Sequence, residues 1–124
     1  MKEQEFPLLD SLARLAPFVL RARAVSTGRE KLLQHRNQLA FALVTEDISE
    51  NSRREVLRDF PCPVYQALTA EQVDSLFHFH NTKLLGFARS ALSAQIQKLL
   101  KGRRLVAPSV EEVAMPQNPT VVVL

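Results

Sequence analysis

An α/β fold, a three-layer α/β/α sandwich with a mixed four-stranded sheet, is what this sequence predicts, and three observations carry it. Short apolar runs of strand length alternate with segments of helical periodicity from Val25 to Leu100. One of them, Ala40-Phe41-Ala42-Leu43-Val44, is continuously apolar, the pattern of a central strand covered on both faces. The strands are separated by single helices on short connections, which favours at least some parallel neighbours. A chain of 124 residues that is 46% hydrophobic is long enough to bury one real core.

The elements follow in order. Phe6 to Ala16 is amphipathic and predicts a helix that Pro17 restarts or kinks. Residues 1–16 are thus read as a helical extension, residues 17–102 as the main domain, and residues 103–124 as a tail. Ala24 to Ser26 suits a short strand. Thr27-x-x-Glu30 reads as a capping box opening a helix from about Gly28 to Asn37. After the apolar run, Asp47 and Ser49 are alternative caps for a helix reaching Phe60, with Val56, Leu57 and Phe60 inward. Pro61-Cys62-Pro63 stops it. Val64 to Ala67 is the next strand, and Thr69-x-x-Gln72 caps a helix with Val73, Leu76 and Phe77 inward and His80 in phase. Lys83 to Phe87 is the last strand of the domain. Ser90 then caps a helix with Leu92, Ile96, Leu99 and Leu100 inside. The tail contains Pro108, Pro116 and Pro119 and is expected to be irregular. Its closing Val121 to Leu124 could add a strand to a sheet edge.

Composition excludes several classes. One cysteine, Cys62, cannot form an internal disulfide, and no apolar run approaches the roughly 20 residues a membrane span needs. A cytoplasmic protein without a membrane segment is expected. The net charge of +3 and isoelectric point near 9.4 permit nucleic-acid contact without requiring it. Distribution is more telling. Arg21, Arg23, Arg29, Lys31 and Arg36 stand against the single anion Glu30, whereas Glu46 to Asp59 holds five carboxylates against three arginines. The helix start at Thr27-Gly28 would offer unpartnered amides inside the basic stretch, a phosphate-binding arrangement.

Several motifs resemble one family, the kink-turn-binding ribosomal proteins of the L-seven-A-e group (Gadd-forty-five-like superfamily), in its bacterial ribosome-associated form. Val19-Leu20-Arg21-Ala22-Arg23 looks like its arginine-rich turn, and Val25 to Leu33 like its strand and Ser/Thr-Gly helix start. Thr45 to Ser52 is similar to its acidic E-D-x-S-x-N element, and Cys62-Pro63-Val64 to its C-x-V-P-V strand entry. The similarity spans roughly Pro17 to Leu100. It implies an α/β/α domain that grips a sharply bent RNA, with the Gly-started helix on the RNA backbone and a later loop over an unstacked nucleotide. Gly28 matches the family glycine. Lys31 stands where the family carries Glu or Gln, and a cation cannot accept the hydrogen bonds those side chains accept. The later L-G-x-x-x-G loop has lost its glycines to the neighbourhood of Asp74, Phe77, His78, Phe79, His80 and Asn81.

The candidate RNA-binding residues are therefore Arg21, Arg23, Thr27, Gly28, Arg29, Lys31, Phe79 and His80. The cations and the Gly28 amide would hold phosphates, while Phe79 and His80 would stack on a base. The competing structural account makes Gly28 a permissive turn residue, Glu30 a cap, and Phe77 and Phe79 core and incidental surface. His78 and His80 diverge on a helix, so no metal site is expected. Glu46 and Asp47 sit where capping suffices, Cys62 reads as a small buried residue, and no catalytic set is recognised. Lys98, Lys101, Arg103 and Arg104 suit either a helix C-terminus or a second phosphate contact. The expectation is a non-enzymatic, cofactor-free RNA-binding protein contacting structured RNA of the translation apparatus. A protein-interaction module that has lost RNA recognition, using the C-terminal strand for its partner, is the alternative. The RNA-gripping accessory domain of an enzyme on another chain is a third reading.

Overall fold

The computed structural model of the chain describes residues 2–105, with side chains from residue 8 onward. Five helices and five strands follow in the order α1 (Lys2–Arg21), β1 (Val25–Thr27), α2 (Arg29–Gln34), β2 (Leu39–Val44), α3 (Glu50–Asp59), β3 (Val64–Gln66), α4 (Ala70–Phe77), β4 (Leu84–Ala88), α5 (Ala91–Leu99) and β5 (Arg104–Leu105). The strands form one mixed sheet in the order β1-β4-β2-β3-β5. β2 and β3 are parallel, whereas β4 runs antiparallel to both β1 and β2, and β5 antiparallel to β3.

Hydrophobic spacing decides which helix covers which face. Leu8, Leu12, Ala16 and Val19 recur every three or four residues along α1, and all are buried. With Val73 and Phe77 of α4, Ile96 of α5 and Leu100 at its C-cap they cover Phe41, Leu43, Tyr65, Leu85 and Phe87. On the other face Leu32 of α2 and Val56 and Phe60 of α3 cover Ala42, Val44 and Val64. Two helical layers thus enclose the sheet, and β2 lies buried on both sides from Phe41 to Val44. The Phe41 and Phe87 rings stack at 4.6 Å, and Tyr65 meets Phe41 edge-on at 5.5 Å. Gly86 lets α2 press against the sheet, because a Cβ there would come within 2.6 Å of Leu32 Cδ2.

Three caps form as their side chains dictate. Ser49 Oγ accepts from Ser52 N, Ser90 Oγ from Ser93 N, and Thr69 and Gln72 make the reciprocal capping box. Of the two possible caps for α3, Ser49 takes the role. Asp47 instead accepts the Ala70 amide at the start of α4.

Four expectations need correction. The sheet has a fifth strand: a turn at Gly102, with φ near +89°, reverses the chain so that Arg104–Leu105 pairs with the edge of β3. A two-residue strand of one arginine and one leucine has no apolar run to announce it. The Val121–Leu124 strand lies outside the described residues. Pro17 does not restart a new helix: α1 runs through it to Arg21. Pro17 faces outward, and the buried stripe on the opposite side offsets the roughly 3 kcal/mol a helical proline costs. α2 is only six residues long, followed by a separate 3-10 turn over Arg36–Gln38. Finally, α4 ends at Phe77 because His78 turns left-handed (φ 61°), so His80 sits in a loop and not on the helix.

Candidate nucleic-acid interface

β1, β2 and β3 point the same way, so their C-terminal ends share one end of the sheet with the start of β4. There the turn at Gly28, the Thr45–Ser49 connection and the His78–Lys83 loop border an open groove of about 460 Å³. Its walls are Thr27, Gly28, Arg29, Ile48, Ser49, Ser52, Val56, His80, Asn81, Thr82, Lys83 and Leu84. Residues some fifty positions apart in sequence meet there because antiparallel β4 begins where β1 ends.

Gly28 is exposed and serves as the N-cap of α2 with φ 100° and ψ 110°, a conformation that disfavours side chains. No side chain caps this helix. The expected Thr27–Glu30 capping box is therefore absent. β1 extends through Thr27, whose hydroxyl is turned across the sheet and donates to the Leu84 carbonyl at 2.9 Å. Glu30 and Lys31 are exposed on the first turn, and Lys31 is the Gly28 neighbour on that surface.

Arg29 is engaged within the protein. Nη1 lies 2.6 Å from Glu55 Oε1 and Nη2 3.3 Å from Asp59 Oδ2, tying α2 to α3. The Glu55 carboxylate, with Asp59 adding to it, raises the Arg29 pKa. The Arg58 guanidinium, 2.8 Å from Asp59 Oδ1, and then Arg29 hold Asp59 below the usual carboxylate range. Asp47, at the foot of the groove, is also held low. The Thr45 hydroxyl beside it contributes most, although it does not reach full hydrogen-bonding geometry; the Asp47 and Ala70 amides and the Lys83 ammonium add to it.

His80 lines the groove, as its candidacy requires, but Phe79 does not. Phe79 is half-buried against the main core, its ring 6.1 Å from that of Phe77, so it is committed to packing. The loop is shaped by Asp74, whose carboxylate accepts from the Asn81 and Thr82 amides. Lys83, Asn81, Ser49 and Ser52 are groove residues that local patterning gives no means to find, since only the pairing of β1 with β4 assembles them.

Arg21 and Arg23 are not at the groove. Arg23 precedes β1 and Gly28 follows it, about 16 Å apart along an extended chain. The expected ring of Arg21, Arg23, Arg29, Lys31 and Arg36 about Gly28 is thereby broken up: β1 carries two of its members away, α2 carries Arg36 away, and α3 neutralises Arg29. Among the described residues no group of three His, Cys, Asp or Glu side chains could hold a metal ion. No described helix is long and apolar enough to cross a membrane. Cys62 is half-buried, and burial raises its thiol pKa, which leaves it a poor nucleophile.

No protein-family model and no curated protein sequence matches the chain. Solved structures do share its fold. A Bacillus halodurans protein of unknown function superposes with a TM-score of 0.64 at 18% identity, over 72% of this chain and 94% of that one. A 15.5 kD RNA binding protein of Giardia lamblia superposes with a TM-score of 0.55 at 13% identity, over 79% of this chain and 85% of that one. At such identities the likeness establishes a common scaffold, and the α/β/α sandwich is that scaffold.

Proposed function

We propose that this chain is a non-enzymatic RNA-binding protein of the L-seven-A-e-like type, gripping structured, bent RNA of the translation apparatus in the Gly28–Lys83 groove. The observation that carries the reading is the groove itself. It joins an exposed, side-chain-free turn at Gly28 to the His80–Lys83 loop on a scaffold shared with an RNA binding protein. Gly28 admits close approach of a sugar-phosphate backbone, Lys31 and Lys83 supply charge, and Ser49, Ser52 and Asn81 supply hydrogen bonds to a distorted strand. Imidazole at His80 offers a flat surface for an unstacked base.

The test is a titration with a bent, internally looped RNA and with an unbroken duplex of matched length. The bent RNA should bind more tightly, and affinity should fall steeply between about 50 and about 200 mM salt. Lys31→Glu with Lys83→Glu should weaken the bent RNA about tenfold or more and remove the preference. Absence of binding at low salt would sink the reading.

A second reading, a protein-interaction module on the same scaffold, is favoured by one observation: Glu55 and Asp59 take up Arg29, a cation on the groove wall. Purification with a bound protein and without nucleic acid would support it.

A further inference from the structure

The end of the sheet opposite the groove carries a set of arginines of its own. Ala24 accepts a hydrogen bond from the Ala88 amide, and Ala88 is also in register with Leu39. Three adjacent strands therefore place Arg23, Arg89 and the Arg36–Gln38 turn side by side, at strand spacings of about 4.8 Å. The connections at this end, residues 22–24, 35–38, 60–63 and 89–90, contain three arginines and no carboxylate. Arg21, Arg23, Arg36 and Arg89 have no acidic partner among the described residues. Arg36 spends one donor on the Leu33 carbonyl. On the last turns of α1, which lead into Arg23, Phe18 is 53% exposed, the large apolar side chain most open to solvent among the described residues. The Arg21 guanidinium lies 5.8 Å from its ring centroid.

We infer that this arginine-rich end, with Phe18, is a second binding surface for a single-stranded RNA segment, separate from the groove. Planar guanidinium groups pair with phosphate oxygens in a bidentate manner, and three of them on neighbouring connections, with Arg21 at the end of α1, offer a series of contacts to successive phosphates of a chain. An exposed aromatic already under a guanidinium is a platform for an unpaired base. A duplex offers no such base at its edge, which selects a single strand. An anionic lipid surface would require more exposed apolar side chains than Phe18. The inference takes its partner class from the RNA reading above but uses none of the groove residues.

The experiment titrates the full chain with an unstructured single-stranded RNA over a range of salt. Arg23→Gln with Arg36→Gln and Arg89→Gln should lower affinity about tenfold or more and reduce the salt slope by about two, at about 0.7 per phosphate lost. The three Arg→Lys changes keep the charge, so the slope should persist while affinity falls a few-fold through loss of the planar fork. Phe18→Ser should weaken binding a few-fold with no change of slope. An unchanged slope in the glutamine variant overturns the inference, provided its thermal midpoint matches the parent. So does stronger binding of the parent chain to phosphatidylserine vesicles or to polyglutamate than to the RNA. Lys31→Glu with Lys83→Glu separates the two surfaces: it should spare single-strand binding. If it abolishes that binding, this inference falls and the groove reading stands. Failure of the parent chain to bind either RNA overturns both.

Discussion

The two ends of the sheet make opposite use of their loops. At the groove end the bordering connections hold Glu46, Asp47 and Lys83, and the nearby Arg29 is bound to Glu55 and Asp59. At the far end the loops hold arginines without carboxylates and an exposed phenylalanine. One end has a shaped groove with charges of both signs; the other has arginines on an open surface. A cluster of cations in sequence is thus not a cluster in space. A three-residue strand, extended at about 3.3 Å per residue, is enough to send its two flanks to opposite ends.

Both ends are held apart by the same aromatic core, so the largest effect comes from removing it. Phe41→Ala should cost about 3–5 kcal/mol, as truncation of a fully buried phenylalanine does, and thermal melting would register it. Both RNA-binding contributions should then disappear in one transition. Survival of one end after the other has melted would show that they are separate folding units.

Gly28→Ala acts on the groove end alone. A φ of 100° with ψ 110° is strained for alanine by about 1–3 kcal/mol, and no close neighbour obstructs the new methyl group. Denaturant melts should show that loss, and binding of bent RNA should weaken while single-strand binding is retained. A variant as stable as the parent would mean that the turn relaxes freely.

Releasing Arg29 sharpens the contrast from the other direction. Glu55→Gln with Asp59→Asn should change thermal stability only slightly, because these pairs are partly exposed and screened. The same variant frees a cation at the groove rim, so affinity for bent RNA should rise a few-fold at low salt. A fall in affinity would mean that the ion pairs position the groove.

The smallest effect is a pH dependence. The folded-state pKa of Asp47 is depressed, so its contribution is fully present above the unfolded carboxylate pKa of about 3.9 and is lost as pH falls through the lower folded value. Asp47 is exposed, which limits the step to a few tenths of a kcal/mol after screening. Melting curves of the parent should show slightly more acid sensitivity than those of Asp47→Asn over that window. Identical curves would deny Asp47 its role in joining the β2–α3 connection to α4.

Much of the fold was legible because local chemistry and tertiary position agree. The run Ala40 to Val44 can only be a strand covered on both faces, and Ser49, Thr69 and Ser90 sit where their oxygens reach an orphan amide. Where they disagree, local reading fails. Thr27 has a capping spacing to Glu30, yet cross-sheet pairing turns its hydroxyl to Leu84. Pro17 looks like a breaker, yet the buried stripe from Leu8 to Val19 keeps α1 whole. Of the candidate residues, Thr27, Gly28, Arg29 and His80 come together at one groove, whereas Phe79 packs against the core. The ion pairs of Arg29 are not legible in the sequence, since Glu55 and Asp59 lie on another helix and no spacing announces them.

β4 has one further consequence, for synthesis. It is inserted between β1 and β2, although it follows both by forty residues or more along the chain. Until Leu84 to Ala88 have left the ribosome, β1 has no neighbour in the sheet, and neither the groove nor the row of arginines can assemble. A nascent chain therefore holds its cations without a surface to display them on, and acquires both ends together when the middle strand slots in.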